Sequence, residues 1–343
     1  MIQQSIERVA AGDNLSMEEM TEVINEIMRG RCSQDQIAGL LTALHEKGET
    51  VDEVAGAAAA LRRHMIPIES SREDVLDTCG TGGDGRGTFN VSTAAALVIA
   101  AAGVPVAKHG NRGITSRSGS ADVLAALGVN IDASVATVQR CLDDLGICFC
   151  FAPLMHPSMK HVAAVRRTLK TPTIFNLLGP LCNPAGARYQ LLGVGRTELR
   201  DRLSAALLRL GTGRSAVVYG SDGLDEVTLN GTSYVSLVAD DRIEQLSWTP
   251  TEFGLRSRTL ESLLVDGPAA SAAMILEIFN GAGGASRDMV VINAAASLWT
   301  VGRCCELKEG VARAAEAIDS GAAKRLLEEL ARLSHQAADS ASR

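Results

Sequence analysis

Asp77-Thr-Cys-Gly-Thr-Gly-Gly-Asp-Gly-Arg-Gly-Thr-Phe-Asn-Val-Ser-Thr93 connects a short apolar run, Val75-Leu76, to the alanine-rich stretch Val91–Ala102. An apolar run, a glycine loop and a helix start make a strand–loop–helix unit, which turns free N–H groups and the positive end of a helix toward an anion. A phosphate site is therefore expected here. A second stretch, Lys108-His-Gly-Asn-Arg-Gly-Ile-Thr-Ser-Arg-Ser-Gly-Ser-Ala-Asp122, repeats the logic after Val104-Pro-Val-Ala107. It adds Lys108 and Arg112 as charges, and Asn111, Thr115, Ser116 and Ser120 as donors. Two such loops on neighbouring strands fit a ligand with more than one phosphate group.

Outward from these loops the pattern stays strand then helix. Val75–Thr78, a helix from Val91, Val104–Lys108, helices over Ala121–Leu127 and Ser134–Asp144, and Ile147–Phe151 alternate. Such alternation predicts an α/β domain with a mixed, mostly parallel central sheet flanked by helices. Residues 168–186 break it with three prolines in an apolar context and read as a hinge between domains. The sheet pattern then resumes with Tyr189–Gly195, helix Glu198–Leu210, Ser215–Gly220 and an alternating stretch Glu226–Val238. From Ala269 the chain reads as helical, with a frayed end from His335 to Arg343.

The region before the loops is different. Ser16-Met-Glu-Glu19, Ser33-Gln-Asp-Gln36 and Thr50-Val-Asp-Glu53 each place a hydroxyl N-cap three residues before Glu or Gln. Three helices are predicted, the first two ended by Gly30 and Gly48. Ile24, Ile27 and Met28, then Ile37, Leu40, Leu41 and Leu44, give each of those two an apolar stripe. Residues 1–71 thus read as a small all-helical domain without catalytic signal, and residues 72–343 as the catalytic α/β domain. Part of 160–188 joins the helical domain as the crossing.

Composition sets limits on function. Apolar residues make up 46% of the 343 residues and aromatics only 3%, so aliphatic packing supplies the core. The formal charge of −7 and the lack of a long basic run argue against a nucleic-acid or anionic-membrane binder. No apolar run is long enough to span a bilayer and no leader pattern opens the chain, so a cytoplasmic protein is expected. Eight cysteines occur without a CxxC pair, which favours reduced thiols over zinc. Of these, Cys79 alone lies beside the expected site, and no base is signalled for it.

The chemistry-bearing residues group around the loops. Gly80-Thr-Gly-Gly-Asp84 has neither the dinucleotide nor the Walker spacing. Asn90-Val-Ser-Thr93 brings one amide and two hydroxyls to a helix start, more than capping requires. Asp225-Glu226 in a glycine turn reads by itself as a solvated loop. Beside a phosphate site it reads as a metal anchor, because magnesium is held by one or two carboxylates, phosphate oxygens and water. Asp222 is a weaker third carboxylate, and the Ser92 hydroxyl is within reach. His156-Pro-Ser-Met-Lys-His-Val-Ala-Ala-Val-Arg-Arg167 reads as a helix whose cations Lys160, Arg166 and Arg167 are either solvated or include one clamp for a carboxylate.

Seven motifs in order carry a resemblance: Gly80-Thr-Gly-Gly-Asp84, Thr88-Phe-Asn-Val-Ser-Thr93, Lys108-His-Gly-Asn-Arg112, Ser118-Gly-Ser-Ala-Asp-Val-Leu124, His156-Pro-Ser-Met-Lys160, Ile174-Phe-Asn-Leu-Leu-Gly-Pro-Leu-Cys-Asn-Pro184 and Gly223-Leu-Asp-Glu226. From about residue 5 to 335 the chain resembles the anthranilate phosphoribosyltransferases of tryptophan biosynthesis, whose fold is shared with certain nucleoside phosphorylases.

The resemblance implies transfer of phosphoribose from phosphoribosyl pyrophosphate to anthranilate, with one or two magnesium ions required, by a homodimer. It places phosphoribosyl pyrophosphate on Gly80, Gly83, Asp84, Thr88, Asn90, Val91, Ser92 and Thr93, and on Lys108, His109, Gly110, Asn111, Arg112, Gly113, Ile114, Thr115, Ser116 and Ser120. Anthranilate falls to Gly80, His109, Asn111, His156 and Arg166, and magnesium to Ser92, Asp225 and Glu226. Two departures stand out: Leu169-Lys-Thr-Pro-Thr173 replaces the family's Leu-Gly-x-Arg-Thr, and Tyr219 occupies a place where His is common.

Such a displacement calls for a clamp on the leaving group, a role for Lys108, and for few acids or bases. His109 is a candidate acceptor for the amine proton, beside the substrate's own carboxylate and water. A phosphorylase would read Lys-x-Ser at Lys108, and a nucleic-acid-binding relative would show a basic groove.

Overall fold

The computed structural model describes residues 2–82, 84–113 and 118–337. All three predicted capping boxes form, with Ser16, Ser33 and Thr50 opening α2 (Met17–Met28), α3 (Gln34–Lys47) and α4 (Val51–Arg63). Another helix, α1 (Ile2–Ala10), precedes them without such a signature; Val9 is buried in the bundle, with Ile2 and Ile6 packed against its core. Gly48 caps α3 at φ +85°, a conformation that suits glycine. Glu53 does more than close its box. Fully buried, it accepts from Thr50 N (2.8 Å), Leu15 N (3.0 Å) and Lys47 Nζ (3.0 Å), so a local cap also ties the bundle together.

Past a linker pinned to Asp143 by the Ser70 hydroxyl (2.6 Å) and Ser71 N (3.0 Å), the sheet begins. Its first half is β1 (Leu76–Gly80), α5 (Val91–Ala101), β2 (Val106–Gly110), α6 (Ser120–Ala126), α7 (Val135–Leu145) and β3 (Ile147–Phe151). The crossing follows as α8 (Ala152–Met155), α9 (Lys160–Leu169) and α10 (Phe175–Leu178). The second half is β4 (Tyr189–Gly193), α11 (Thr197–Arg209), β5 (Arg214–Gly220), β6 (Ser233–Ala239) and β7 (Arg242–Trp248). Four helices close the chain: α12 (Pro268–Phe279), α13 (Ala285–Val301), α14 (Leu307–Asp319) and α15 (Ala322–Ser334).

The strand order is β3-β2-β1-β4-β5-β6-β7, parallel through β5 and antiparallel for β6 and β7. The sheet is therefore mixed and mostly parallel, as expected. One stretch departs from the expectation: residues 226–232 are not strand, and only Ser233–Ala239 pairs. The cause is tertiary, because Asn293 takes both polar groups of the Val227 backbone, donating from Nδ2 to its oxygen (3.0 Å) and accepting at Oδ1 from its N–H (2.9 Å).

Alternate residues of the central strands feed two cores. Leu191, Ala216 and Val218 pack with α5 and α13 on one face; Leu192 and Val217 join the other face with α11, α10 and the bundle helices. The helical bundle is thus fused to one face of the sheet through a continuous apolar cluster that includes Val162, Val165 and Phe175 of the crossing. Each fully buried Leu or Ile in it stabilises by about 1.5–3 kcal/mol.

Candidate active site

Order reverses between β1 and β4: from β1 the chain moves outward to β2 and β3, then returns to place β4 on the other side. A crevice opens outside the carboxyl ends of strands at such a switch point. Gly80 and Gly193 end the two strands and pair with each other, and the reason for glycine there is space. A Cβ on Gly80 would stand 2.6 Å from Asp225 Oδ2, and one on Gly193 would collide with the Asp225 carbonyl oxygen. The carboxylate turn is laid directly over the crevice.

Ser92, in the first turn of α5, joins the two halves. Its N–H donates to Glu226 Oε1 (3.2 Å) and its Oγ accepts from Lys108 Nζ (3.2 Å). Lys108 is almost fully buried and also donates to the Thr78 carbonyl (2.5 Å), so it lies under the crevice as a fixed charge facing Glu226 and Asp225. Lys108, the clamp expected from the sequence, is thus held in place by its own hydrogen bonds. Burial lowers its pKa, and buried Asp77 opposes that shift most strongly.

The acidic side is crowded. Burial, and next the neighbouring Asp84, pushes Asp225 up to about 7, while burial and Asp225 push Glu226 well above the usual carboxylate range. Crowded carboxylates with raised pKa values want a countercharge, which is the donor chemistry a divalent cation satisfies. Asp222, by contrast, is used within its own turn, accepting from Leu224 N (3.3 Å) and the Thr228 hydroxyl (2.6 Å).

Asn90 precedes α5 without capping it through its side chain, contrary to the simplest reading of that motif. Its Oδ1 instead accepts from the hydroxyls of Ser118 (2.7 Å) and Ser271 (2.9 Å), and its Nδ2 donates to the Ser118 carbonyl (3.2 Å). The Thr93 hydroxyl and the Thr81 hydroxyl are buried without a hydrogen-bond partner among the described residues. Thr88 bridges Leu264, which holds the glycine loop against the 260–265 segment. Val91 is buried and contributes backbone alone.

Asn111 Oδ1 accepts from Arg112 N (2.8 Å), and Ser120 approaches the Asn111 carbonyl (3.5 Å). The Arg112 guanidinium is engaged by Asp122 (3.2 Å) and lies 5.8 Å from the Phe151 ring centre, so its charge is already matched. Asp122 also accepts from Gly113 N (2.8 Å) and Gly119 N (3.0 Å). Gly83, Ile114, Thr115 and Ser116 lie outside the described residues.

His109 and His156 form a buried pair with Nε2 atoms 3.2 Å apart and ring centres 5.1 Å apart. His109 Nδ1 faces the Gly179 carbonyl (3.0 Å), which places its proton there and leaves Nε2 as the acceptor for His156. Burial and then His156 push His109 down to about 3, and burial holds His156 at about 4. A neutral imidazole whose lone pair is occupied and whose pKa is so low is a poor proton acceptor, which corrects the expectation for His109. Arg166 of α9 is half-buried, has no carboxylate partner among the described residues and lies 5.8 Å from the Phe175 ring centre. Lys160 and Arg167 are exposed, so the geometry separates one candidate clamp from two solvated cations.

Several supports escaped the sequence reading. Asn293 orients the carboxylate turn; Ser271 holds Asn90; Asn183 Nδ2 donates to the Ala107 carbonyl (2.8 Å); Gln190 Nε2 donates to the Pro180 carbonyl (2.6 Å) and to Cys79 Sγ (3.2 Å). The available signal was a lone polar residue inside an apolar run, as in Val-Val-Ile-Asn293-Ala-Ala-Ala. Cys79 itself is no nucleophile: burial, then Asp77, keeps its thiol far above the ordinary range. Tyr219 stacks on Tyr234 with ring centres 6.5 Å apart on β5 and β6, a structural use of that departure. Lys170, in the other departing segment, ends α9 in a left-handed conformation at φ +56°.

Two family models match: a glycosyl transferase family helical bundle domain over residues 3–65 and a glycosyl transferase family α/β domain over residues 72–324. An anthranilate phosphoribosyltransferase of Rhodopirellula baltica is 49% identical over 327 residues, 95% of this chain and 96% of that one. Among solved structures, the anthranilate phosphoribosyltransferase of Thermus thermophilus superposes with a TM-score of 0.91 at 43% identity, covering 97% of this chain and 99% of that one. That of Saccharomyces cerevisiae, in complex with phosphoribosyl pyrophosphate and magnesium, gives 0.89 at 29% identity with 97% of each chain covered. With a bundle fused to a switch-point crevice and relatives of this closeness along nearly its whole length, the chain belongs to the anthranilate phosphoribosyltransferase family.

Proposed function

We propose that this chain, an anthranilate phosphoribosyltransferase by family, holds phosphoribosyl pyrophosphate in the crevice between β1 and β4 and anthranilate on the side of the crossing. The anthranilate nitrogen bonds to the anomeric carbon as the bond from that carbon to the pyrophosphate oxygen breaks. The products are N-(5-phosphoribosyl)anthranilate and pyrophosphate, a step of tryptophan biosynthesis. The observation that carries this assignment is Ser92, whose N–H and Oγ bind Glu226 and Lys108 at once, bringing both loops and the carboxylate turn to one point.

Each residue then has a physical task. The glycine loop after β1 and the start of α5 receive phosphate oxygens, beside Asn90 and the orphaned Thr93 hydroxyl; the N–H groups of Val91, Ser92 and Thr93 already have partners in Phe89, Glu226 and Asn90. Buried Lys108 supplies a fixed positive potential under the departing group, at no reorganisation during the reaction. Asp225, Glu226 and the Ser92 hydroxyl would hold one or two magnesium ions, with phosphate oxygens and water completing the shell. A magnesium ion held by these residues would supply charge neutralisation for the leaving group. Arg166 receives the anthranilate carboxylate through two parallel N–H bonds, and the neutral histidine pair shapes the aromatic pocket. The amine proton leaves to the substrate's own carboxylate or to water.

Pyrophosphate release that requires both anthranilate and phosphoribosyl pyrophosphate tests the activity. Asp225→Ala and Glu226→Ala each lower turnover and shift the magnesium dependence upward; unchanged dependence in both overturns the metal assignment. No described helix is long and apolar enough to cross a membrane. The enzyme works as a homodimer in the cytoplasm, where its eight unbonded cysteines stay reduced. Sedimentation at the mass of two chains checks the assembly.

A further inference from the structure

The sheet has a second populated edge. Opposite the catalytic crevice, the starts of β4, β5 and β7 and the end of β6 surround a cavity of about 420 Å³ lined by Arg188, Arg214 and Arg242, with Tyr189, Leu237, Ala239 and Val301 as its apolar wall. Arg214 N donates to the Arg188 carbonyl (3.0 Å), Arg214 pairs with Tyr189 across β4, and Arg242 pairs with Ala239 across β6. Arg214 and Arg242 therefore start from one row of the sheet, and Arg188 stands one residue before it. With β5 seven residues long, this row is about 20 Å from the strand ends that carry the catalytic loops.

Many surface arginines are already engaged by carboxylates. Arg8, Arg258, Arg287 and Arg313 each sit on a carboxylate at 3.1 Å or less. Arg188, Arg214 and Arg242 make no ion pair or side-chain hydrogen bond with any described residue. Arg214 Nε is buried without a hydrogen-bond partner, and its guanidinium lies 4.6 Å from the Trp299 ring centre. That stacking fixes the plane of the guanidinium before any ligand arrives. An orphaned buried donor on a pre-oriented planar cation is an incomplete hydrogen-bonding site.

Charge narrows the ligand. Asp240 and Glu244 line the same cavity, which leaves one net positive charge facing it. One positive charge, a planar fork and an apolar wall match a monoanionic carboxylate on a small apolar body better than a dianionic phosphate. We propose that this cavity is a second ligand site, separate from the catalytic crevice, that binds a small carboxylate through Arg214 with Arg188 and Arg242.

The test uses 4-bromobenzoate, whose bromine marks position by anomalous scattering. In crystals of the whole enzyme, a bromine peak is expected in the cavity beside Arg214; bromine confined to the catalytic crevice overturns the proposal. In solution, Arg214→Gln is expected to weaken the calorimetric binding of this probe at least tenfold, whereas Arg166→Gln leaves that binding event intact. Arg242→Gln removes an exposed group, and is expected to weaken the probe as well while leaving turnover unchanged. Wild-type affinity in both Arg214→Gln and Arg242→Gln overturns the site, and inorganic phosphate binding there more tightly than the carboxylate overturns the ligand class.

Discussion

The bundle of α1–α4 and the carboxyl edge of the sheet are built by opposite means. In the bundle each helix from α2 on starts at a cap that satisfies its own first turn, with partners three residues apart. At the sheet edge the decisive contacts join residues far apart in sequence: Ser92 with Glu226, Asn90 with Ser271, Val227 with Asn293. Strands β1, β2, β4 and β5 all end on glycine, at Gly80, Gly110, Gly193 and Gly220, because later segments fold back over them. One region is a sum of local choices, and the other is a single long-range fit. A change in the first should therefore cost stability alone, and a change in the second should cost activity beyond its cost in stability.

The sharpest break of this comparison is Gly193→Ala. Its new methyl group displaces the Asp225 backbone, and a misplacement of about 1 Å lowers turnover on the order of 100-fold. If turnover stays near wild type, the carboxylate turn is not part of the machinery. Next comes Asn293→Ala, far from any substrate. It leaves the Val227 N–H and carbonyl unpaired in the core, lowering stability by about 1–3 kcal/mol. Because Val227 follows Glu226 directly, the magnesium concentration needed for half-maximal rate is expected to rise as well. A drop in Tm with unchanged magnesium dependence makes Asn293 purely structural.

The histidine pair gives a smaller effect with a defined sign. Unfolded histidine takes a proton near its ordinary value of about 6.5, whereas His109 and His156 resist protonation until about 3 and about 4. Their depressed values make the native state fully favoured above pH of about 6.5, and that advantage is lost as pH falls. The loss is on the order of 1.4 kcal/mol per pH unit for each histidine. Urea titrations from pH 7 to 5 are expected to show this slope in wild type and a shallower one in His109→Gln. Least of all, Ser33→Ala in the bundle removes one cap, lowering stability by about 1 kcal/mol with turnover unchanged. Lost activity there would break the contrast between the two regions.

How much was legible follows the same division. The caps at Ser16, Ser33 and Thr50, the strand Ile147–Phe151 and the helix from Val91 were readable because their determinants are neighbours in the chain. The reading of Glu226–Val238 as strand failed where Asn293, from a helix more than sixty residues later, captured its backbone. Asn90 resembled a helix cap and serves instead as a junction for Ser118 and Ser271. Lys108 and His109 could be singled out in the sequence as candidates, but their states depend on what buries them. The clamp Lys108 is a held, buried charge, and the candidate base His109 is a neutral, hydrogen-bonded ring.

The sequence by itself determined the helical start, the strand-and-helix alternation, the place of the glycine loops and, through seven motifs in order, the family. Hydrogen bonds between near neighbours and the periodic spacing of apolar residues are written in the chain itself, so they need no partner to be read. Only the tertiary structure decided which strands flank the crevice and which of the three crossing cations is partly buried. It also decided the protonation of the histidine pair and placed three unpaired arginines on the opposite edge. Burial and the approach of distant charges set those properties, and both exist only once the strands have taken their order in the sheet.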